Sequence, residues 1–272
     1  MAEQNFILTM LFGFFYTFQM HISEGMQKHG IDVFNKKKRQ QLKGKKKTIW
    51  IIGFMLMITV DIHQIVGLAF GTVSQFLALF GLGLIFLCIY SVKLTHETLE
   101  HMELIGISLI ILGTLTNGVF LAFQKSIESI PANMIVFLVI FIISILIVIL
   151  LSVLSIKFGA SPSICFGISS AICAAVNLIF KRLGYTNNLW FLGISFVMGL
   201  FSMIFMNVGF ARGADATKLI PFYNSVYIIY PTVIESIIFE DPALKIHFVQ
   251  YIAIFFIVAG VILITKKIAH KP

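Results

Sequence analysis

Nine long apolar runs alternate with short polar connections along this chain. A helix that crosses a membrane takes about 20 apolar residues at a rise of about 1.5 Å each. The runs of that order are Phe6 to Lys28, Thr48 to Phe70, Val73 to Ser91, Met102 to Phe123, Pro131 to Ile156, Ser161 to Arg182, Asn188 to Ala211, Ala216 to Phe239 and His247 to Ile268. The pattern predicts an all-α integral membrane protein, a single polytopic domain over residues 1–272 with nine transmembrane helices. Connections after the first are short, so consecutive helices are predicted to be antiparallel neighbours in one bundle. The first run starts at Phe6 without a basic leader and outlasts a signal core of about 7 to 15 residues, so no cleavable signal peptide is expected.

The runs also repeat. Setting the second on the seventh aligns Trp50 with Trp190 and Gly53 with Gly193; after a shift of two residues Gly67, Ala69 and Gly71 fall on Gly209, Ala211 and Gly213. The first and sixth share Phe12-Gly13 and Phe166-Gly167, then Lys28 and Arg182, then Gly30 and Gly184. Farther on, Glu97 meets Glu240 and Gly113 meets Gly260. Residues 1–123 and 161–272 thus read as two four-helix repeats, with 131–156 as a connector. One extra crossing inverts the second repeat relative to the first, a signature of secondary transporters with a site at the repeat interface.

Composition narrows the class. Apolar residues make up 58% of the 272 and charged residues 12%, against a soluble average of about 25% charged; mean hydropathy is +0.97. A soluble enzyme, a nucleic-acid-binding module and a disulfide-stapled secreted domain are excluded. Of the 20 Lys and Arg behind the net charge of +8, nine lie between Lys28 and Lys47. Counted on alternate sides of nine spans, only Lys125, Lys181, Arg182 and Lys245 fall opposite the other 16. The bias predicts a cytoplasmic C-terminus, an outside N-terminus and, by default, the plasma membrane. Cys88, Cys165 and Cys173 lack C-x-x-C spacing and read as buried thiols. No phosphate-binding Gly loop or nucleophile with its base occurs, so neither an enzyme, ATP-driven transport nor a cofactor is expected.

An ionisable residue inside the membrane is a functional candidate by default, and Asp61 is the one acid near the centre of a span. Gln64, three residues on, shares its face. Together they read as a cation-attracting oxygen cluster or as a carboxyl hydrogen-bonded to a neighbouring helix. His63 points elsewhere. In the first helix His21, Glu24 and Lys28 form a polar stripe; Glu24 reads as a vestibule carboxylate or, more simply, as an i,i+4 partner of Lys28, and Tyr16 and Gln19 lie nearer the midpoint. The eighth run carries Pro221 and Pro231 with Tyr223, Asn224, Ser225 and Tyr227 between them, the composition of a kinked helix presenting oxygens at mid-depth. Asp215 reads as its N-cap, and Glu235 as a solvated interfacial acid.

These residues resemble the NIPA-like magnesium transporter family, a nine-helix branch of the drug/metabolite transporter superfamily. The resemblance rests on Lys28-His29-Gly30 closing the first helix, the basic loop and Trp-led second helix, and Asp61, Gln64, Ala69 and Phe70 in place of the family's acid, Asn and Ala-Phe. It extends to Thr95-His96-Glu97-Thr98-Leu99 in place of Asn-Glu-Arg-Leu, and to Asp215-Ala216-Thr217-Lys218-Leu219-Ile220-Pro221 in place of Asn-Thr-x-x-x-x-Pro. Where the family's third helix has Pro-Leu-Gly, this chain has Ala78-Leu79-Phe80-Gly81, so a first-half counterpart of the Pro221 break stays open. The resemblance implies gradient-driven movement of Mg²⁺ as substrate, with Asp61 as metal attractor, Gln64 in support and Tyr223, Asn224 and Ser225 opposite. Two other readings stand beside it: a transporter of an organic cation or small metabolite with an aromatic cage of Phe14, Phe15, Tyr16, Tyr223 and Tyr227, and a non-conducting structural protein. The partners expected are the lipid bilayer and the small substrate, with no nucleic acid; a homodimer stays open.

Overall fold

A computed structural model of the protein describes residues 5–31, 44–95, 97, 99–123, 132–239 and 246–268. Most of the basic run (32–43), together with His96, Thr98, Lys125, Pro131, Glu240, Lys245 and Lys271, lies outside them. The described residues are helical, with no strand. The helices are α1 (Phe6–Gly30), α2 (Gly44–Phe70), α3 (Val73–Phe76), α4 (Gly83–Tyr90), α5 (His101–Phe123), α6 (Met134–Phe158), α7 (Pro162–Thr186), α8 (Trp190–Ala211), α9 (Ala216–Ile238) and α10 (Phe248–Ile268). Seven of them, α1, α2, α5, α6, α7, α8 and α10, are long and apolar enough to cross a membrane.

The two remaining runs differ for physical reasons. The third run breaks into α3, a 3-10 turn over Phe80–Leu82, α4 and a π turn over Ser91–Thr95. No proline is needed for the break. Thr72 and Gln75 form a capping box that starts α3, and Thr17 Oγ1 donates to Phe80 O at 2.8 Å, so a carbonyl released by the break is satisfied from α1. Tight packing fixes the segment: a Cβ on Gly81 would lie 2.8 Å from Thr114, and one on Gly118 would collide with Ala78 O. In the eighth run α9 passes through Pro221 and Pro231 as continuous helix. It is largely buried, with Leu219, Ile220, Tyr227 and Asn224 fully enclosed; Tyr227 and Asn224 reach α1 and α2, while Ser225 and Thr232 bond back to their own helix.

Local chemistry sets several ends. Asn5 Oδ1 accepts from Leu8 N at 3.2 Å to cap α1, Asn133 does the same for α6 through Val136 N, and α6 stops at Gly159, whose φ of 70° suits glycine. Asp215 occupies the N-cap position of α9 without capping it. Glu97 does so instead, its carboxylate accepting from Ala216 N at 3.1 Å and Thr217 N at 3.0 Å, while Asp215 pairs with Lys218 at 3.1 Å. A cap of this kind is worth about 0.5–2 kcal/mol, so Glu97→Ala should lower the melting temperature of the purified protein, while Asp215→Ala should change it little.

Consecutive helices are neighbours only in part. α1 packs on α2 and α7 on α8, but α9 packs on α7, α5 on α10, and α6 lies outermost against α7. The α5–α10 crossing is reciprocal. A Cβ on Gly113 would meet Ala253 O at 2.6 Å and Ile257 Cγ1 at 2.7 Å; a Cβ on Gly260 would collide with Gly106 O and meet Ile110 Cγ1 at 2.8 Å. With Gly113 aligned on Gly260, Gly106 falls on Ala253 and Ile110 on Ile257, so the two contacts exchange. Elsewhere Gly13 abuts Phe76 O as Gly167 abuts Leu219 O, and Gly67 abuts Phe76 and Phe12 as Gly209 abuts Leu219 and Phe166. Overpacking of such a crossing costs about 1–3 kcal/mol, so Gly260→Leu should lower the melting temperature in detergent clearly, whereas Gly193→Ala, in open space, should not.

Candidate functional site

Mid-way along the bundle a chain of hydrogen bonds links α1, α9, α2 and α7. Tyr16 Oη and Tyr227 Oη lie 2.7 Å apart, Gln64 Nε2 donates to Tyr227 Oη at 2.9 Å, Lys181 Nζ donates to Gln64 Oε1, and Lys181 Nζ pairs with Asp61 Oδ1 at 2.8 Å. Asp61 and Gln64 share a face as their spacing predicts. The partner that meets them is Lys181, which belongs to the interior of the bundle and not to a loop. Its side chain is enclosed and Asp61 is about a quarter exposed, so the acid closest to the middle of its span already carries a counter-charge.

Beside this chain is a cavity of about 60 Å³ lined by residues of α1, α2, α7, α8 and α9. Tyr16, Glu24, Asp61, Gln64 and Tyr223, all anticipated from sequence, line it. So do Asn177, Gly199, Ser202 and four methionines, Met20, Met57, Met203 and Met206, which sequence reasoning did not single out. The volume holds a few water molecules or one small head group. Glu24 is the informative residue. It is fully buried, and neither carboxylate oxygen has a hydrogen-bond partner; Asn177 Oδ1 is likewise buried and unpartnered.

Other expected positions fall elsewhere. Lys28 does not pair with Glu24: its Nζ donates to Ala214 O and lies 5.6 Å from the Phe210 ring. Tyr227 stands behind the cavity wall in the polar chain. Asn224 Nδ2 lies 2.8 Å from His21 Nε2, Ser225 Oγ donates to Pro221 O in its own helix at 2.7 Å, and Gln19 Nε2 donates to Leu56 O and Thr59 Oγ1 on α2. Phe15 is exposed and Phe14 does not line the cavity; the aromatic cluster is instead Tyr16 with Phe76 and Phe80, and Tyr227 with Tyr223 and Phe80. Glu235 is not solvated: it is buried and paired with Arg182, whose guanidinium lies 4.4 Å from the Phe239 ring. His63 sits between the Phe12 and Phe15 rings. All three cysteines are unbridged.

The four methionines and Lys181 left weak signals. Methionine in an apolar run is ordinary core composition. Lys181 sits beside Arg182 near the end of its run, where a lysine reads as interfacial; only the alignment of Gln27 with Lys181 hints that it belongs to an internal position. Gln27 makes a similar crossing at the other end of the bundle, where Asn207 Nδ2 donates to Gln27 Oε1 at 2.6 Å.

Among the described residues no group of three or more His, Cys, Asp or Glu is placed to hold a metal ion. The fold and cavity define an all-α chain with seven helices of membrane-spanning length and composition and a carboxylate-bearing cavity at its centre. No protein-family model, curated protein or solved structure matches it.

Proposed function

We propose that the protein is a secondary transporter of a small organic cation, with Glu24 as the group that takes cargo and proton in turn. The observation that carries this reading is a fully buried, unpartnered carboxylate facing a cavity. An enclosed carboxylate with no ionised partner is costly to keep charged, so without cargo Glu24 holds a proton. A cation entering the cavity supplies the missing counter-charge: Glu24–COOH with the cation gives the carboxylate–cation pair and releases one proton to solvent. Tyr16 and Tyr223 give the cavity aromatic walls, which suit a cation, and the methionines adapt to its shape.

Mg²⁺ is less well served. It keeps several waters and uses hard oxygen ligands, whereas Asp61, the acid expected to attract it, is paired with a lysine and four thioethers line the walls. The non-conducting reading accounts for the Asp61–Lys181 pair but leaves the cavity and Glu24 without a role. The reciprocal contacts of α5 with α10, and of Gly13 and Gly167 with their partners, support two inverted repeats of four helices around a connector, α6, with the broken third segment and α9 completing nine crossings. The Lys and Arg bias supports a cytoplasmic C-terminus and an outside N-terminus; the plasma membrane is the default location.

The test is a panel of fluxes in proteoliposomes: tetramethylammonium, larger organic cations and Mg²⁺, each with and without a pH gradient. Saturable organic-cation flux that an opposing proton gradient accelerates is the expected result. Saturable Mg²⁺ flux without organic-cation flux would overturn the reading.

A further inference from the structure

One wall of the cavity is a seam between α2 and α8. Ile58, Phe196 and Leu200 line the cavity and are also among the exposed apolar residues of the surface. All three lie well inside their helices, at the level that would face the hydrocarbon of a bilayer. α2 is packed on α1 and α8 on α7; Lys181 of α7 ties the two pairs together at Asp61 and Gln64 of α2, and two further hydrogen bonds flank the seam. At one end Trp50 Nε1 donates to Asn207 Oδ1 at 3.2 Å; at the other, Tyr185 Oη of α7 donates to Ile65 O of α2 at 2.8 Å. Between them Gly199 brings α8 close to α7 and α2: a Cβ there would lie 3.2 Å from Asn177 Nδ2 and 3.9 Å from Asp61 Oδ2. A partly exposed acid, Asp61, stands at this mouth, and the buried carboxylate of Glu24 lies within.

The geometry points to a lateral portal between α2 and α8 through which cargo enters from the bilayer, and to a cargo class: a cationic head group carrying an apolar chain. This inference rests on the transport reading above and sharpens it. A cavity of about 60 Å³ has room for a head group and not for a chain. A seam walled by Ile58, Phe196 and Leu200 and open to hydrocarbon accepts the chain while the head group sits against Glu24. Asp61 at the mouth is already paired with Lys181, which leaves Glu24 as the carboxylate that holds the cargo. An aqueous route would call for a polar vestibule; the walls of this mouth are apolar.

Uptake of an alkyltrimethylammonium series, from methyl to decyl at equal free aqueous concentration and corrected for protein-free vesicles, tests the portal. Each added methylene favours transfer of the chain into an apolar seam, so wild-type uptake should rise by about tenfold or more along the series. Phe196→Trp and Leu200→Trp, which add bulk at two exposed positions of the seam, should flatten that preference with melting temperatures near wild type. Glu24→Gln should abolish uptake of every member. Equal uptake along the series, with both seam variants behaving as wild type and Glu24→Gln still inactive, would overturn the portal and leave the transport reading standing. Uptake of no member, or uptake indifferent to Glu24→Gln, would sink both.

Discussion

Lys181→Met should destabilise the protein more than any other single exchange considered for it. The substitution keeps most of the apolar stem but removes the only charge that faces Asp61 at 2.8 Å and a donor to Gln64. Breaking a buried ion pair by deleting one partner costs about 3–5 kcal/mol, because the remaining charge is stranded. Asp61 is partly exposed, which places the loss toward the lower end of that range. The pair's own net worth is smaller, since replacing both partners together is often nearly neutral. The double variant Asp61→Asn with Lys181→Met should therefore recover most of the melting temperature lost by the single one. If Lys181→Met melts like wild type, the pair does not hold the centre of the bundle, and the link from α2 to α7 is wrongly drawn.

The second large effect is functional. Glu24→Gln is close to isosteric and leaves an uncharged group in the same enclosed position, so the fold should keep its melting temperature. Transport should fall sharply. Losing one partner of a buried charge pair costs about 2–5 kcal/mol, and at about 1.4 kcal/mol per tenfold the smallest expected loss in apparent affinity is about 30-fold. Glu24→Asp should restore part of it, since charge is kept and reach is lost. A merely structural role for Glu24 predicts the opposite pattern: changed stability in both variants and no charge dependence of uptake.

Much of the architecture was legible because apolar run length is a strong signal. All nine runs coincide with helical segments, and their ends follow visible punctuation at Asn5, Thr72, Asn133 and Gly159. What sequence could not supply was partnership across helices. Asp61 and Gln64 were found because an acid in mid-span stands out and i,i+3 spacing fixes a shared face; Lys181, which completes the group, is 120 residues away in sequence from Asp61. The same blindness reversed the roles of two acids. Glu24 has a lysine four residues on, yet that lysine reaches Ala214 across the bundle, and Glu235, near the end of its run, pairs with Arg182. Asp215 sat at the right position for a cap, but Glu97 reached the same N–H groups from a distant segment. Pattern within one helix was informative; pairing between helices had to come from the structure.

The glycines are an intermediate case. Single identities between the two halves carry little weight in apolar sequence, yet Gly13 with Gly167, Gly67 with Gly209 and Gly113 with Gly260 each occupy matching close approaches. A glycine marks where another backbone must come near, and that requirement survives when the surrounding side chains change.

The central claim is that one buried carboxylate exchanges a proton for a cation. Its most direct test is the lumenal pH of proteoliposomes loaded with a pH-sensitive dye. When tetramethylammonium or a longer alkyl homologue is added outside, inward cation movement coupled to outward proton movement should raise lumenal pH in wild-type vesicles and leave Glu24→Gln vesicles unchanged. Cation uptake with no pH change, or an equal pH rise in the Glu24→Gln vesicles, would contradict the account.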